Sequence, residues 1–170
     1  MTDPRIEEEP AEHLRFRRYL TALEAVAEAD EAELVAAVLR DEDAAMAQSA
    51  VVRHLDRRAA RLLPDSRFTA WVHTMTGVVA ERAFLVRRLR EWALLGAIAR
   101  GEPWAPEDIT TASDWFQRTA VTERAAALPE ALTLLAEHGR TRRVRNAATL
   151  RLPSRSSTVR PSASVPPPSG

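Results

Sequence analysis

The sequence predicts an all-α protein of about seven helices. Apolar residues recur three or four positions apart through most of the chain, and this spacing places them on one face of a helix. No segment shows the alternation of apolar and polar residues between hairpin turns that indicates a β-strand. With 170 residues, 45% of them hydrophobic, the chain is long enough to bury its own core. We therefore expect one helical domain over about residues 11–152.

Capping residues and helix breakers predict the first three helices. A stripe of leucine and phenylalanine indicates a helix over about residues 11–29. Asp30, followed by a glutamate three positions later, predicts a capped start for a second helix that ends near Arg40. Asp43 is the expected N-cap of a third helix, and Pro64 ends that helix because proline cannot continue it.

The later helices are bounded by proline and glycine. Residues 67–100 form either one kinked helix or two, because threonines and a glycine weaken the middle of this segment. Its second half is apolar at nearly every position, which is typical of a helix at the centre of a small α domain. Pro106 and Pro129 suit the first turns of two further helices, the first with an alternative restart at Ser113. A last helix is expected over about residues 140–152.

The two ends of the chain differ in composition from this domain. Residues 1–10 are acidic and lack the apolar stretch of a secretory signal. Residues 153–170 contain five prolines and six serines, and they have too few aliphatic side chains to offset the entropy of ordering. We therefore expect an acidic N-terminal segment and a disordered tail around a cytoplasmic domain. All 24 basic residues are arginine, a composition typical of a GC-rich bacterial genome.

The absence of certain residue types excludes several functions. The chain contains no cysteine, so disulfides, thiolate catalysis and Cys-ligated metals are excluded. No apolar run approaches the ~20 residues of a transmembrane helix. The four histidines fall at no metal-ligand spacing, and no glycine-rich phosphate loop is present. We therefore expect no metal, no cofactor, no membrane contact and no catalytic residue.

Two segments resemble HEAT-type helical repeats. In residues 34–56, a helix is followed by an acidic turn, Leu39-Arg40-Asp41-Glu42-Asp43, and then by a helix rich in alanine and valine. Residues 134–152 show a second, similar arrangement. Together they cover about a third of the chain. The resemblance implies a short right-handed α-α superhelix of stacked helical pairs, whose exposed face binds a protein or a nucleic acid without chemistry of its own.

The main candidate site is a group of arginines at the start of the last predicted helix: Arg140, Arg142, Arg143 and Arg145. Guanidinium groups pair with phosphate oxygens or with carboxylates. The group is therefore either a phosphate-binding edge or a contact with an acidic surface of the same molecule or a partner. Because the net charge is zero, we expect a protein partner, with nucleic acid as the alternative. The predicted function is a non-catalytic adaptor or regulatory scaffold, of unspecified oligomeric state.

Three further features are secondary candidates. Trp104 lies in a loop beside prolines and is either a lid on the core or an exposed anchor for a partner. Asp114 and Trp115 place an acid beside an aromatic ring, as in helical-repeat DNA glycosylases, which is the least favoured function. The arginines of the apolar helix are expected to form its solvated strip: Arg82, Arg87, Arg88 and Arg90.

Overall fold

The chain consists of helices joined by turns and loops in residues 11–123 and 128–153, the ranges that this computed structural model describes, and it has no strand there. These ranges contain a short 3₁₀ turn (Glu28–Asp30) and nine α-helices: α1 (Ala11–Ala25), α2 (Glu31–Val38), α3 (Ala44–Leu62), α4 (Phe68–Val78), α5 (Ala83–Ala99), α6 (Pro106–Thr110), α7 (Asp114–Thr122), α8 (Pro129–His138) and α9 (Arg142–Arg151). The all-α prediction is confirmed. The expected acidic segment and nearly all of the expected tail lie outside the described residues.

The described residues contain more helices than the predicted seven because both segments with alternative boundaries divide. Residues 67–100 form α4 and α5, separated by a turn at residues 79–82. The helix that begins at Pro106 stops after five residues, and Ser113 starts the next one. The Ser113 side chain caps α7 by accepting a hydrogen bond from the Phe116 backbone N–H at 3.2 Å.

Of the two predicted acidic caps, one is confirmed and the other is wrong. The Asp43 side chain accepts a hydrogen bond from the backbone N–H of Met46 at 2.9 Å, as expected of an N-cap. Asp30 makes no side-chain capping bond to α2. The backbone is extended at Ala27, and α1 ends at Ala25, four residues before its predicted end. Asp30 then belongs to the 3₁₀ turn, where its backbone is already helical and unsuited to an N-cap.

The helices pack in two rows. In the odd row, α1 contacts α3, α3 contacts α5, α5 contacts α7, and α7 contacts α9. In the even row, α2 contacts α4 and α6 contacts α8. Contacts within the pairs α2–α3, α4–α5 and α8–α9 join the two rows. Helix α5 packs against α3, α4 and α7, and its buried side chains recur at helical spacing: Leu85, Leu89, Trp92, Leu95 and Ile98.

A buried carboxylate joins α2, α3 and α4. Glu31 of α2 is only 2% exposed, and its Oε1 accepts hydrogen bonds from His54 Nε2 at 2.7 Å and from Trp71 Nε1 at 3.1 Å. Arg58 Nε lies 3.4 Å from Oε2. Burial by itself raises the pKa of Glu31, but the two hydrogen bonds and the charge of Arg58 outweigh it and lower the pKa.

Removing this carboxylate should destabilise the fold. Glu31→Ala leaves two ring N–H groups and a guanidinium without their buried acceptor, so we expect a loss of about 3 to 5 kcal/mol in the free energy of unfolding. Urea denaturation followed by circular dichroism measures it. Glu33→Ala, on the exposed side of the same helix, is the matched control, with an expected change within about 0.5 kcal/mol. An equal effect of the two substitutions would contradict the role of Glu31.

The contribution of Glu31 should also depend on pH. Because its folded-state pKa is below the ordinary value of 4.5, its stabilisation is complete above the unfolded-state pKa and is lost as the pH falls through the folded-state pKa. We expect the difference in unfolding free energy between the wild type and Glu31→Ala to be constant above about pH 5.5 and to narrow below about pH 4.5. Urea titrations across this range test the expectation, and a difference that grows on acidification would refute it.

Candidate functional site

An open cleft of about 880 Å³ lies between α5, the α6–α7 turn and the α8–α9 turn. The wall from α5 consists of Arg87, Arg90, Glu91 and Leu94, whose spacing places them on one face of the helix. Helix α6 contributes Asp108, and the two turns contribute residues 111–114, Arg140 and Thr141. We call Arg87, Arg90 and Arg140 the cleft arginines. They come from distant parts of the chain and line the same concave surface.

Buried hydrogen bonds fix the wall that contains Arg140. The side chain of Gln117 is fully buried; its Nε2 donates to the Ile109 carbonyl at 3.0 Å, and its Oε1 accepts from the Arg140 backbone N–H at 2.8 Å. Arg140 Nη1 donates to the Ala112 carbonyl at 3.1 Å. Gln117 therefore holds α6 and the α8–α9 turn against α7, and the cleft edge is set by polar contacts inside the protein.

The same kind of contact occurs at an earlier turn. Arg82, between α4 and α5, donates from Nη2 to the Leu39 carbonyl at the end of α2, at 2.8 Å. Arg82 therefore joins two turns of the chain, and the prediction that it lies in the solvated strip of α5 was wrong. Arg140 makes the equivalent contact but also lines the cleft. A neutral carbonyl leaves the positive charge of either guanidinium uncompensated.

The arginines of the predicted site at the start of the last helix lie in different environments in the structure. Arg142 and Arg143 are exposed, and their side chains have no hydrogen-bond or ion-pair partner among the described residues. Arg145 is partly buried and donates from Nη1 to the Gly139 carbonyl at 2.6 Å, so it stabilises the turn before its own helix. Trp104 is partly buried against the core, which is the geometry of a lid, and it is not among the residues lining the cleft.

Arg88 is the largest departure from the solvated strip, whereas Arg87 and Arg90 are exposed as expected. The Arg88 side chain is only 12% exposed, and its Nη1 donates to Asp56 Oδ2 at 2.6 Å. Its Cζ atom lies 3.7 Å from the centre of the Trp115 ring. This guanidinium therefore joins α3, α5 and α7. It also covers one face of the Trp115 ring, which a glycosylase-like site would need for a base.

Three carboxylates, Glu91, Asp108 and Asp114, line the cleft beside the three arginines. Glu91 Oε1 accepts from the Ser113 backbone N–H at 3.0 Å, and Asp108 Oδ2 accepts from a backbone N–H at the start of α6 at 3.0 Å. Asp114 is 3.4 Å from Arg118 of its own helix. None of the cleft arginines forms an ion pair with a described carboxylate. The cleft therefore presents three arginines without ion-pair partners in the described ranges to an anionic ligand, beside two carboxylates that contact only backbone N–H groups.

Charge is also segregated between the two rows. The five helices of the odd row contain fifteen arginines and five carboxylates. The four helices of the even row contain six carboxylates and no arginine. The zero net charge of the chain thus hides a difference between the two rows, one rich in arginine and the other in carboxylates. The sequence contains this signal, but only the order of the rows makes it visible.

Comparisons with known proteins leave the chain without a matched relative: no protein-family model, no curated protein and no solved structure matches it. Within residues 11–123 and 128–153, no group of three or more histidine, aspartate or glutamate side chains could hold a metal ion. None of the helices in those ranges is long and apolar enough to cross a membrane. The HEAT resemblance therefore stays a prediction, and the function has to be argued from the cleft.

A glycine substitution tests the packing that positions Arg140. A Cβ atom on Gly139 would lie 2.5 Å from the Leu135 carbonyl oxygen and 2.8 Å from Val144 Cγ1, so Gly139→Ala should destabilise the fold by about 2 kcal/mol or more. Gly77 of α4 has nothing within 4 Å of the corresponding position. Gly77→Ala should therefore stabilise by about 0.5 to 1 kcal/mol. Thermal and urea denaturation of both variants measure these changes in stability. Equal changes in the two variants would contradict the close packing around Gly139.

Proposed function

We propose that this protein is a non-catalytic helical-repeat module that binds nucleic acid through its phosphate backbone. The observation that supports the proposal best is the convergence of the cleft arginines on one concave surface without carboxylate partners among the described residues. Guanidinium groups match phosphate oxygens in shape and charge, and each neutralised phosphate releases counterions, which favours binding.

The unpaired arginines next to the cleft extend this surface. Arg142 and Arg143 follow Arg140 and Thr141 directly and occupy the first turn of α9, where backbone N–H groups also favour an anion. No carboxylate is present in α9. From the sequence, the zero net charge favoured a protein partner over nucleic acid. That reason is weaker once the positive and negative side chains are seen to lie in different rows of helices. A polyanion that contacts only the odd row meets a basic surface.

The order of the helices supports the HEAT-like part of the proposal. Stacked helical pairs place equivalent helices in two parallel rows, each contacting its neighbours. The odd row follows this order from α1 to α9, and the even row follows it within α2–α4 and within α6–α8. The turn contacts of Arg82 and Arg140 also recur between successive pairs. Three of the successive pairs, α2–α3, α4–α5 and α8–α9, are packed helix against helix, which matches the three units that a stable stack normally needs.

A second candidate is an acidic segment of a protein partner. It is favoured by the mixed lining of the cleft, where Leu94 and Ala112 lie beside both arginines and carboxylates. A peptide with acidic and apolar side chains would match this lining, and a cleft of about 880 Å³ can enclose only a few residues of it. The protein would then act as an adaptor, again without chemistry of its own.

Removal of two cleft arginines tests the proposal. Arg87→Ala/Arg90→Ala should weaken binding of a labelled oligonucleotide at least about tenfold, because two charge-assisted contacts to phosphate are lost. The slope of log Kd against log salt should also fall by about one per arginine removed. Fluorescence anisotropy with labelled single- and double-stranded DNA and RNA, at salt concentrations of about 50 to 200 mM, measures both quantities.

The matched control is Arg18→Ala/Arg40→Ala, which removes the same charge from two exposed positions outside the cleft. It should change affinity less than about threefold. Absence of wild-type binding at about 50 mM salt would refute the nucleic-acid proposal. Binding of an acidic polypeptide such as poly-glutamate, lost in the cleft variant and kept in the control, would then support the protein-partner candidate.

A further inference from the structure

An exposed aromatic ring lies on α5 beside the cleft. Phe84 is 38% exposed, and of the nine aromatic side chains, all within the described residues, it is the only exposed one. It precedes Arg87 by three residues and Arg88 by four, so it lies on the same side of the helix as these two arginines, one turn toward the N-terminus. The ring therefore extends the line of arginines at one end of the cleft.

From this placement we propose that the bound nucleic acid is single-stranded and that Phe84 stacks on one of its bases, an inference that rests on the proposed function. In a duplex, the bases are paired and stacked, so the grooves expose only their edges and their faces are closed to an aromatic side chain. An unpaired strand presents the faces of its bases to an aromatic side chain while its phosphates bind arginines. Three residues of helix, a rise of about 4.5 Å, separate Phe84 from Arg87, so the ring and the guanidinium are close enough to contact one strand together.

The environment of the ring favours this role. Arg88 Cζ lies 5.5 Å from the Phe84 ring centre, and Arg88 is itself held by Asp56 and Trp115. Because Arg88 is held in place, its contact with Phe84 fixes the orientation of the exposed ring. The four tryptophans offer no comparable surface: Trp71 and Trp92 are buried, Trp104 packs against the core, and Trp115 is covered by Arg88. Phe84 is thus the aromatic ring available to a base next to the cleft arginines.

A double-mutant cycle between the ring and the bases tests the inference with the full chain. The wild type and Phe84→Leu are titrated with a labelled oligothymidine of about twelve nucleotides and with an abasic strand that has the same number of phosphates. Leucine keeps an apolar side chain and removes the ring. We expect Phe84→Leu to lose roughly five- to hundredfold in affinity for oligothymidine and less than about twofold for the abasic strand. Leu14→Ala, at a similarly exposed position on α1, should leave both affinities unchanged.

The outcomes separate this inference from the proposed function. A loss that is confined to the strand with bases supports stacking on Phe84. Equal losses on both strands, no loss on either, or a tighter complex with a duplex of the same length would overturn the inference and leave phosphate binding intact. No binding of any strand by the wild type at about 50 mM salt would overturn the proposed function itself.

Discussion

The contact between Asp56 and Arg88 fixes the position of α5, and the candidate site depends on that position. Asp56 of α3 accepts from Arg88 Nη1 at 2.6 Å through one oxygen and from Trp92 Nε1 at 2.8 Å through the other. Trp92 and Trp115 also meet edge to face at 5.4 Å. Because Arg88 contacts α3 and α7, the helical repeat turns Arg87 and Arg90 onto an adjacent face, where they line the cleft. Arg88, which has an ion-pair partner, therefore orients Arg87 and Arg90, which have none among the described residues.

The separation of charge between the two rows gives this geometry a functional consequence. The arginines that bind carbonyls or carboxylates connect turns and helices, as Arg82, Arg88 and Arg145 do. The cleft arginines, together with Arg142 and Arg143, have no carboxylate partner among the described residues. Keeping like charges close together is unfavourable for the folded protein by itself. An anionic ligand relieves that repulsion, which makes the cleft a better candidate for binding than the even row.

Capping residues and prolines predicted most of the helix boundaries from the sequence, whereas the contacts between side chains could be identified only in the structure. Asp43, Pro64, Pro106 and Pro129 act within one or two helical turns, so the sequence near them suffices to place helix boundaries. The cap at Asp30 was mispredicted because the chain bends at Ala27, which no nearby proline or glycine signals.

The candidate site depends on contacts that are distant in sequence. Arg88 looked like a solvated residue because its partner Asp56 is 32 positions away. Of the predicted arginine group, only Arg140 is among the residues that line the cleft, and two of its three companions are exposed just beyond it. The convergence of Arg87 and Arg90 with Arg140 follows from the packing of α5 beside α7, and no spacing in the sequence encodes it. The clue that was available is the absence of acidic residues from the last helix.

The most direct test of the account is an NMR titration that follows the Nε–H resonance of each arginine while unlabelled oligothymidine is added. The account predicts that the resonances of Arg87, Arg90 and Arg140 shift together and saturate at the same ligand concentration, while those of Arg18 and Arg40 stay in place. Shifts of Arg18 and Arg40 in place of the cleft arginines, or shifts spread equally over all arginines, would contradict a binding site in the cleft.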